Sequence, residues 1–487
     1  MLNANQLVFG KNSCSSLALG CAVASGVLIM AGNLQAAEWI FNPYIGMSET
    51  YTDNAYGTAS DEQDDAITTL RAGFEVEGIG RRLQLRAAYD VGYNVYARFS
   101  ELNGFDHNLL ASGNAELISD NLFLETDVAL TEERYSSDGT TAYSDRSGTG
   151  DNTRVLNTRI SPYYQHDFGG YATGIIRYTH SMVSFTNTNS RISGSEPNDS
   201  DTNRIDLTLQ SGREFSRTKW AVEAFAFDNQ VDNGDDLKRS TMKADGQVPI
   251  NRYVALLASG GWDEFDGDNI NNDKISGAFY GAGVRLTPGP RTDLSVQVGH
   301  RFGGGIVDAD LTYLLSSEAS FTAGYHVDVA GSGSAFADAR ILDQNGDLVN
   351  PNTFVGGYSD SISKTKTFSM GLTGEKGRNT YSATASYITR TILNTGADEE
   401  VVSFDGNFTR QLSRRLEWNL GGGYAEILDA QVAGSREKSF YGQTGLSYQF
   451  TPTFIGSLAY GHYNQDSENS FDSYRENTIS ISVRKEF

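Results

Sequence analysis

Six histidines stand at His107, His166, His180, His300, His326 and His462, and none has a second ligand at a spacing that would close around a metal. His166 sits beside a short turn and His300 on an apolar strand face, which predicts structural roles for both. The two cysteines, Cys14 and Cys21, fall within the opening segment that ends at Ala37, so neither a thiolate zinc site nor a disulfide framework is expected beyond it. Two acid-rich runs, Asp266–Asp273 and Asp343–Asp347, invite a calcium reading. Neither places a glycine and a closing glutamate where an EF-hand loop needs them, and they read as solvated loops. The glycine patches Gly303–Gly305 and Gly421–Gly423 follow no strand-to-helix pattern that would cradle phosphate. They are explained by close strand packing and tight links. Serines are many, but no G-x-S-x-G elbow is present. Nothing isolates a hydrolytic triad either. The chain therefore reads as a non-enzyme with no catalytic residue, no cofactor and no metal.

The charged residues that alternate with apolar ones carry more information. Glu75, Arg86, Asp90, Glu125, Asp127, Glu223, Asp308 and Asp310 all fall on the polar face of an alternating segment. They are expected to line a pore, with cross-strand pairing among themselves as the plainer alternative. Net charge is −23, which excludes nucleic acid as a natural partner because phosphate recognition needs a basic face. The surplus acid reads as a solvated surface, or as an external face that binds divalent cations or sets up a repulsive field.

These residues must be held by strands. In Asp293–Val298, Leu294, Val296 and Val298 share one face, while Asp293, Ser295 and Gln297 share the other. The same period of two recurs at Ile205, Leu207 and Leu209, and at Leu122, Leu124, Val128 and Leu130. A soluble sandwich would alternate as well, but the links discriminate. Short ones such as Gly78–Arg81, Ser119–Asn121 and Glu375–Asn379 take turns with long ones such as Thr52–Asp65, Tyr135–Asp151 and Val329–Ser361. Short periplasmic turns alternating with long external loops are the signature of an outer-membrane barrel. Arg301–Gly305 is the exception, a short link where a long one is due. The expected fold is all-β, a transmembrane antiparallel up-and-down barrel of about 22 strands, within roughly 18 to 24, and without a plug domain.

Residues 1–37 read as a signal peptide, with Lys11 ahead of an apolar run from Leu17 to Ala31 and small residues at Ala36 and Ala37. Residues 38–487 are then the barrel, beginning within a few residues of cleavage. No other segment has the apolar length of a transmembrane helix. Tyrosine and phenylalanine, 25 of each, cluster at strand ends in the manner of aromatic girdles. Phe487 closes a last amphipathic strand carrying Ile479, Ile481 and Val483, the kind of ending that barrel-assembly machinery reads. Lys485 departs from that pattern and is expected to snorkel.

The opening of the barrel, Pro43 to Asn54, contains Glu49-Thr50-Tyr51-Thr52-Asp53-Asn54. This stretch resembles the start of the outer-membrane β-barrel family associated with PEP-CTERM/exosortase systems, in which a similar motif follows the signal peptide. The resemblance implies a porin-like barrel tied to exopolysaccharide export or assembly, with outer-membrane lipid, polysaccharide and periplasmic export components as partners. The motif's own residues also make good turn chemistry at Asp53-Asn54. Two functions follow as expectations. One is a conduit for polysaccharide or another hydrophilic solute, with Val329–Ser361 either external or folded inward as a constriction. The other is a non-conducting scaffold that anchors surface polymer or proteins through acidic loops.

Overall fold

The computed structural model describes residues 38–134, 152–186, 198–268, 270, 272–331, 341–342, 348, 361–429, 436–468 and 473–487. The expected signal segment, the run Asp343–Asp347 and most of Val329–Ser361 lie outside them. Twenty-two antiparallel strands, from β1 (Glu38–Thr52) to β22 (Tyr474–Glu486), each pair with their sequence neighbours, and β1 pairs with β22 to close the barrel. Closure leaves no sheet edge, the condition for a strand protein to cross lipid, where an unpaired backbone amide has no water to turn to. Among the described residues no helix is long and apolar enough to span a membrane.

The alternation seen in the sequence sorts the side chains to two faces. Met242, Trp262, Tyr280, Val298, Phe404 and Ile481 all stand exposed on the outside. Apolar groups exposed in this number make sense only against hydrocarbon. Their chain neighbours Lys243, Asp263, Gly281, Gln297, Asp405 and Ser482 point the other way, into the lumen. Strands run from 10 residues in β13 (Thr292–Arg301) to 16 in β6 (Asn152–Asp167), and a tilted strand needs about 9–11 to cross.

The exceptional link is a tight two-residue connection. β13 and β14 (Gly304–Leu314) are joined by Phe302 and Gly303 alone, both at positive φ, 53° and 71°. That pair of angles makes the tight two-residue hairpin turn whose twist suits antiparallel strands. The hairpin is short, so the wall is low here, and the neighbouring elements fill the notch. A one-turn helix, α1 (Asn272–Ile275), presses on the tip so closely that a Cβ on Gly303 would lie 2.1 Å from the Lys274 carbonyl oxygen. β15 (Ala319–Ala330) pairs with β14 over only Ala309–Leu314, and its outer half leans away. There Val329 packs with Phe227, Leu237, Phe265, Ile275, Phe302 and Ile362 in the largest apolar core inside the described wall.

Candidate functional site in the barrel interior

The residues expected to line a pore all lie on the interior face, and most are already paired. Glu75 meets Arg484 at 3.2 Å, Arg86 meets Glu77 at 2.8 Å, and Glu125 meets Arg177 at 2.5 Å. Asp127 accepts from Arg159 Nε at 2.9 Å. Asp90 accepts from the Tyr44 hydroxyl and from Arg71, which also reaches Asp106 at 3.0 Å. Asp308 and Asp310 meet His326, each at 3.3 Å. The interior is thus a wall of matched guanidinium and carboxylate groups. The exposed pairs among them, such as Glu75–Arg484, contribute little to stability, about 0–1 kcal/mol each, whereas Asp127–Arg159 is buried. What they do is fix side-chain positions and leave the surface polar without a large excess of either sign.

Glu223 has a different setting. With Arg204, Phe225, Phe227, Arg239, Thr241, Lys243, Arg301 and the outer end of β15 it lines a cavity of about 450 Å³. Glu223, Phe225 and Phe227 come from β9 (Lys219–Val231), and Arg239, Thr241 and Lys243 from β10 (Leu237–Pro249), each set at i, i+2, i+4 as a strand face requires. Asp263 of β11 (Val254–Gly267) is the hub. It is 1% exposed and accepts from Arg301 Nε at 2.6 Å, Arg301 Nη2 at 2.9 Å and the Thr241 hydroxyl at 2.6 Å, with Arg239 Nη2 at 3.5 Å. Arg239 also donates from Nη1 to Asp328 at 3.0 Å and to the Val329 carbonyl at 3.2 Å. In this way the arginine satisfies a backbone acceptor of β15 where that strand has parted from β14. Its guanidinium lies over the rings of Phe225, Phe265 and Phe302 at 5.2, 4.8 and 5.4 Å, and Arg301 lies over Phe279 at 4.2 Å. The arrangement holds no activated nucleophile. The buried hub holds the wall together, and the cavity beside it presents Arg204, Glu223, Phe225 and Lys243 to a polar solute.

The motif residues are placed at the closing seam. Thr50 shares a 2.7 Å hydrogen bond with Ser480, and the Thr52 hydroxyl donates to Glu476 at 2.9 Å. Asp53 accepts from the Asn477 backbone at 2.7 Å and from its amide side chain at 2.6 Å. Asn54 is fully buried; its side chain donates to the Arg475 and Thr58 carbonyls, both at 2.9 Å, and accepts from the Thr58 amide at 3.0 Å. Glu49 stands on the outer face and accepts from Thr68 at 2.7 Å, and Tyr51 is exposed there. The stretch is both turn and clasp, joining the first strand to the last. Beyond it, the Tyr56 hydroxyl donates to Glu101 in the next loop and holds that carboxyl below the usual carboxylate range.

Most histidines are accounted for on the outer face. His107, His166, His300 and His462 lie beside Tyr89, Phe168, Tyr280 and Phe440, and His180 beside Asn203. In the run Asp266–Asp273, the Asn272 side chain closes on the Gly267 amide at 3.0 Å, and the Asp236 amide of the neighbouring loop donates to Asp268 at 3.3 Å. Sequence reasoning passed over Arg204, Arg239, Asp263 and Arg301. The short Arg301–Gly305 link was the available signal, since a low hairpin must be flanked by residues that fill the gap.

Fold and interior together define an outer-membrane β-barrel. No family model matches the sequence and no curated protein matches it. Among solved structures, the siderophore receptor PirA from Acinetobacter baumannii superposes with a TM-score of 0.51 at 8% identity, covering 92% of this chain and 80% of that one. The FrpB iron transporter from Neisseria meningitidis gives 0.51 at 9% identity, with 92% and 82% covered. The ferric enterobactin receptor PfeA from Pseudomonas aeruginosa, as a double mutant, gives 0.50 at 8% identity, with 92% and 80% covered. At such identities the likeness is one of fold. It corrects the expectation of a barrel without a plug. The matching structures belong to the 22-stranded class, whose lumen normally holds one. The physical reason is size: closing 22 strands encloses a lumen too wide for the wall's own side chains to fill. The matching structures are of a siderophore receptor and an iron transporter. Nothing in them bears on an exopolysaccharide system.

Proposed function

We propose that this barrel passes a hydrophilic solute across the outer membrane, and that the cavity lined by Arg204, Glu223, Phe225 and Lys243 is a contact point on the way. The observation that carries the reading is the cavity's make-up: the charged groups of Arg204, Glu223 and Lys243 set beside Phe225 on the interior wall. Sugars are recognised by this combination, with hydroxyls held by charged partners and ring faces laid on aromatics. The resemblance of Glu49–Asn54 to the exosortase-associated barrels supports an exopolysaccharide as the solute. A second cargo, a ferric chelate, draws support from the siderophore and iron receptors that share the fold.

Protein purified from outer membranes and placed in a planar bilayer tests this. Discrete openings that added polysaccharide blocks favour export of polymer. Openings blocked by a ferric siderophore and not by polysaccharide favour the second cargo. A folded barrel that never conducts and binds neither overturns both, in favour of the anchoring scaffold.

A further inference from the structure

His326 stands apart from the other histidines. It lies on the interior face of β15, at the position just beyond the last backbone pair between β14 and β15, Ala309 with Tyr325. Continuing that register places it opposite Asp308, with Asp310 two residues along the same face of β14. Its Nδ1 is 3.3 Å from Asp308 Oδ2 and its Nε2 is 3.3 Å from Asp310 Oδ1. One donor atom from each of the three side chains falls within 4.8 Å of the others. Gly324, the residue paired with Asp310, makes the arrangement possible. A Cβ there would come within 2.8 Å of His326 Nε2, so the imidazole occupies the space a side chain would fill.

The charge around this group is also unusual for this wall. Asp90, Glu125, Asp127, Asp263 and Glu399 each receive an arginine. Among the described residues, Asp308 and Asp310 have no lysine or arginine within ion-pair distance. Two carboxylates and one imidazole face lumen water with side chains 50%, 60% and 48% exposed. The facing positions on β13, Gln297 and Ser295, are neutral.

We propose that Asp308, Asp310 and His326 bind a divalent first-row transition cation, with Zn²⁺ as the representative ion. A tetrahedral ion with bonds of about 2.0 Å holds its ligands roughly 3.3 Å apart. Here the two carboxylates sit against opposite ring nitrogens, and one donor atom from each side chain lies within 4.8 Å of the others, so side-chain rotation closes the set around the ion. To bind, the imidazole turns one ring nitrogen to the ion and each carboxylate supplies one oxygen, leaving a fourth position for water. The imidazole selects against Mg²⁺ and Ca²⁺, which prefer oxygen throughout, and in favour of zinc, nickel, copper or iron. The bound ion would neutralise the two aspartates and tie β14 to β15 where their backbone ladder stops. The assignment goes beyond the conduit reading and does not rest on it.

The test uses untagged full-length protein in detergent, stripped with chelator and titrated calorimetrically with ZnCl₂, then with MgCl₂. One saturable zinc site per chain is expected, unaffected by equimolar magnesium. His326→Ala and Asp308→Asn should each weaken it by about tenfold or more, since even residues that merely orient metal ligands cost that much when changed. Heat-modifiable gel mobility checks that each variant remains a folded barrel. Copper(II) loaded on the unmodified protein gives a second readout that needs no variant: its paramagnetic resonance spectrum should show coupling to one imidazole nitrogen. No saturable zinc uptake, unchanged affinity in His326→Ala, or a copper spectrum without nitrogen coupling would each overturn the assignment.

Discussion

Asp263→Ala is the substitution that asks most of the interior wall. The carboxylate is 1% exposed and accepts two bonds from Arg301 and one from Thr241, with Arg239, itself 6% exposed, at 3.5 Å. Removing it leaves two guanidinium groups facing each other without the anion between them. Breaking a buried pair by deleting one partner costs about 3–5 kcal/mol, because the surviving charge stays desolvated. Arg239 keeps Asp328, and Arg301 is partly reached by water, so the low end applies: about 3 kcal/mol, or about two decades in the folding equilibrium. Asp263→Asn keeps an acceptor for Thr241 and loses the charge, for about 1.5–3 kcal/mol. Asp328→Ala serves as the control. Its side chain is 63% exposed, and its loss should cost no more than about 1 kcal/mol. Urea titration in detergent micelles, followed by the fluorescence of the four tryptophans, measures all three. In a salt gradient the Asp263→Ala channel should also shift its reversal potential toward chloride. The reasoning fails if Asp263→Ala lies within 1 kcal/mol of wild type, or if Asp328→Ala costs as much.

Three further outcomes are expected. Asp53→Ala with Thr52→Val removes the bonds to Asn477 and Glu476, and the folded form on gels should convert at a lower temperature; an oxidised Thr50→Cys, Ser480→Cys pair, built where the two side chains already meet at 2.7 Å, should restore it. Ile481→Arg puts a charge on the lipid face and should cost about 2–4 kcal/mol in folding into bilayers if that position lies near the midplane; a loss under 1 kcal/mol would place it at an interface. Gly303→Ala combines a positive φ with a Cβ pressed on a backbone oxygen, for more than about 1 kcal/mol, and limited proteolysis should cut at 302–303 in the variant and not in the parent.

Much of the scaffold was legible because it is local. The alternation of Asp293–Val298 assigns faces without knowledge of neighbours, and links that alternate in length order the strands. The interior site was not legible because it depends on where ladders end. Arg239 reaches Asp328 five strands away only because the β13–β14 hairpin is short and β15 leans across it. No periodicity reports such a lean. His326 and Asp308 face each other through a register that sequence leaves open, so a search for ligands along one segment could not find them. The plug expectation failed for another reason: it was drawn from how soon the first strand follows the expected signal segment, whereas the need to fill a lumen is a property of the whole circumference. The motif at Asp53-Asn54 reads as a turn, and its bonds to Asn477 and Arg475 also make it a clasp between the first and last strands.

The clasp also sets an order of events. Asp53 and Asn477 lie 424 residues apart, so the bonds that close the wall form only after nearly the whole chain is present. Until β22 comes into place, β1 holds its nine residues, Tyr44–Thr52, as an open edge with no partner of its own kind. An edge of that length invites pairing with any other strand that reaches it first. The wait for β22 is therefore the stage at which a second chain in the same membrane can capture β1, and the side-chain specificity of Thr50, Thr52, Asp53 and Asn54 is what tells the right strand from the wrong one.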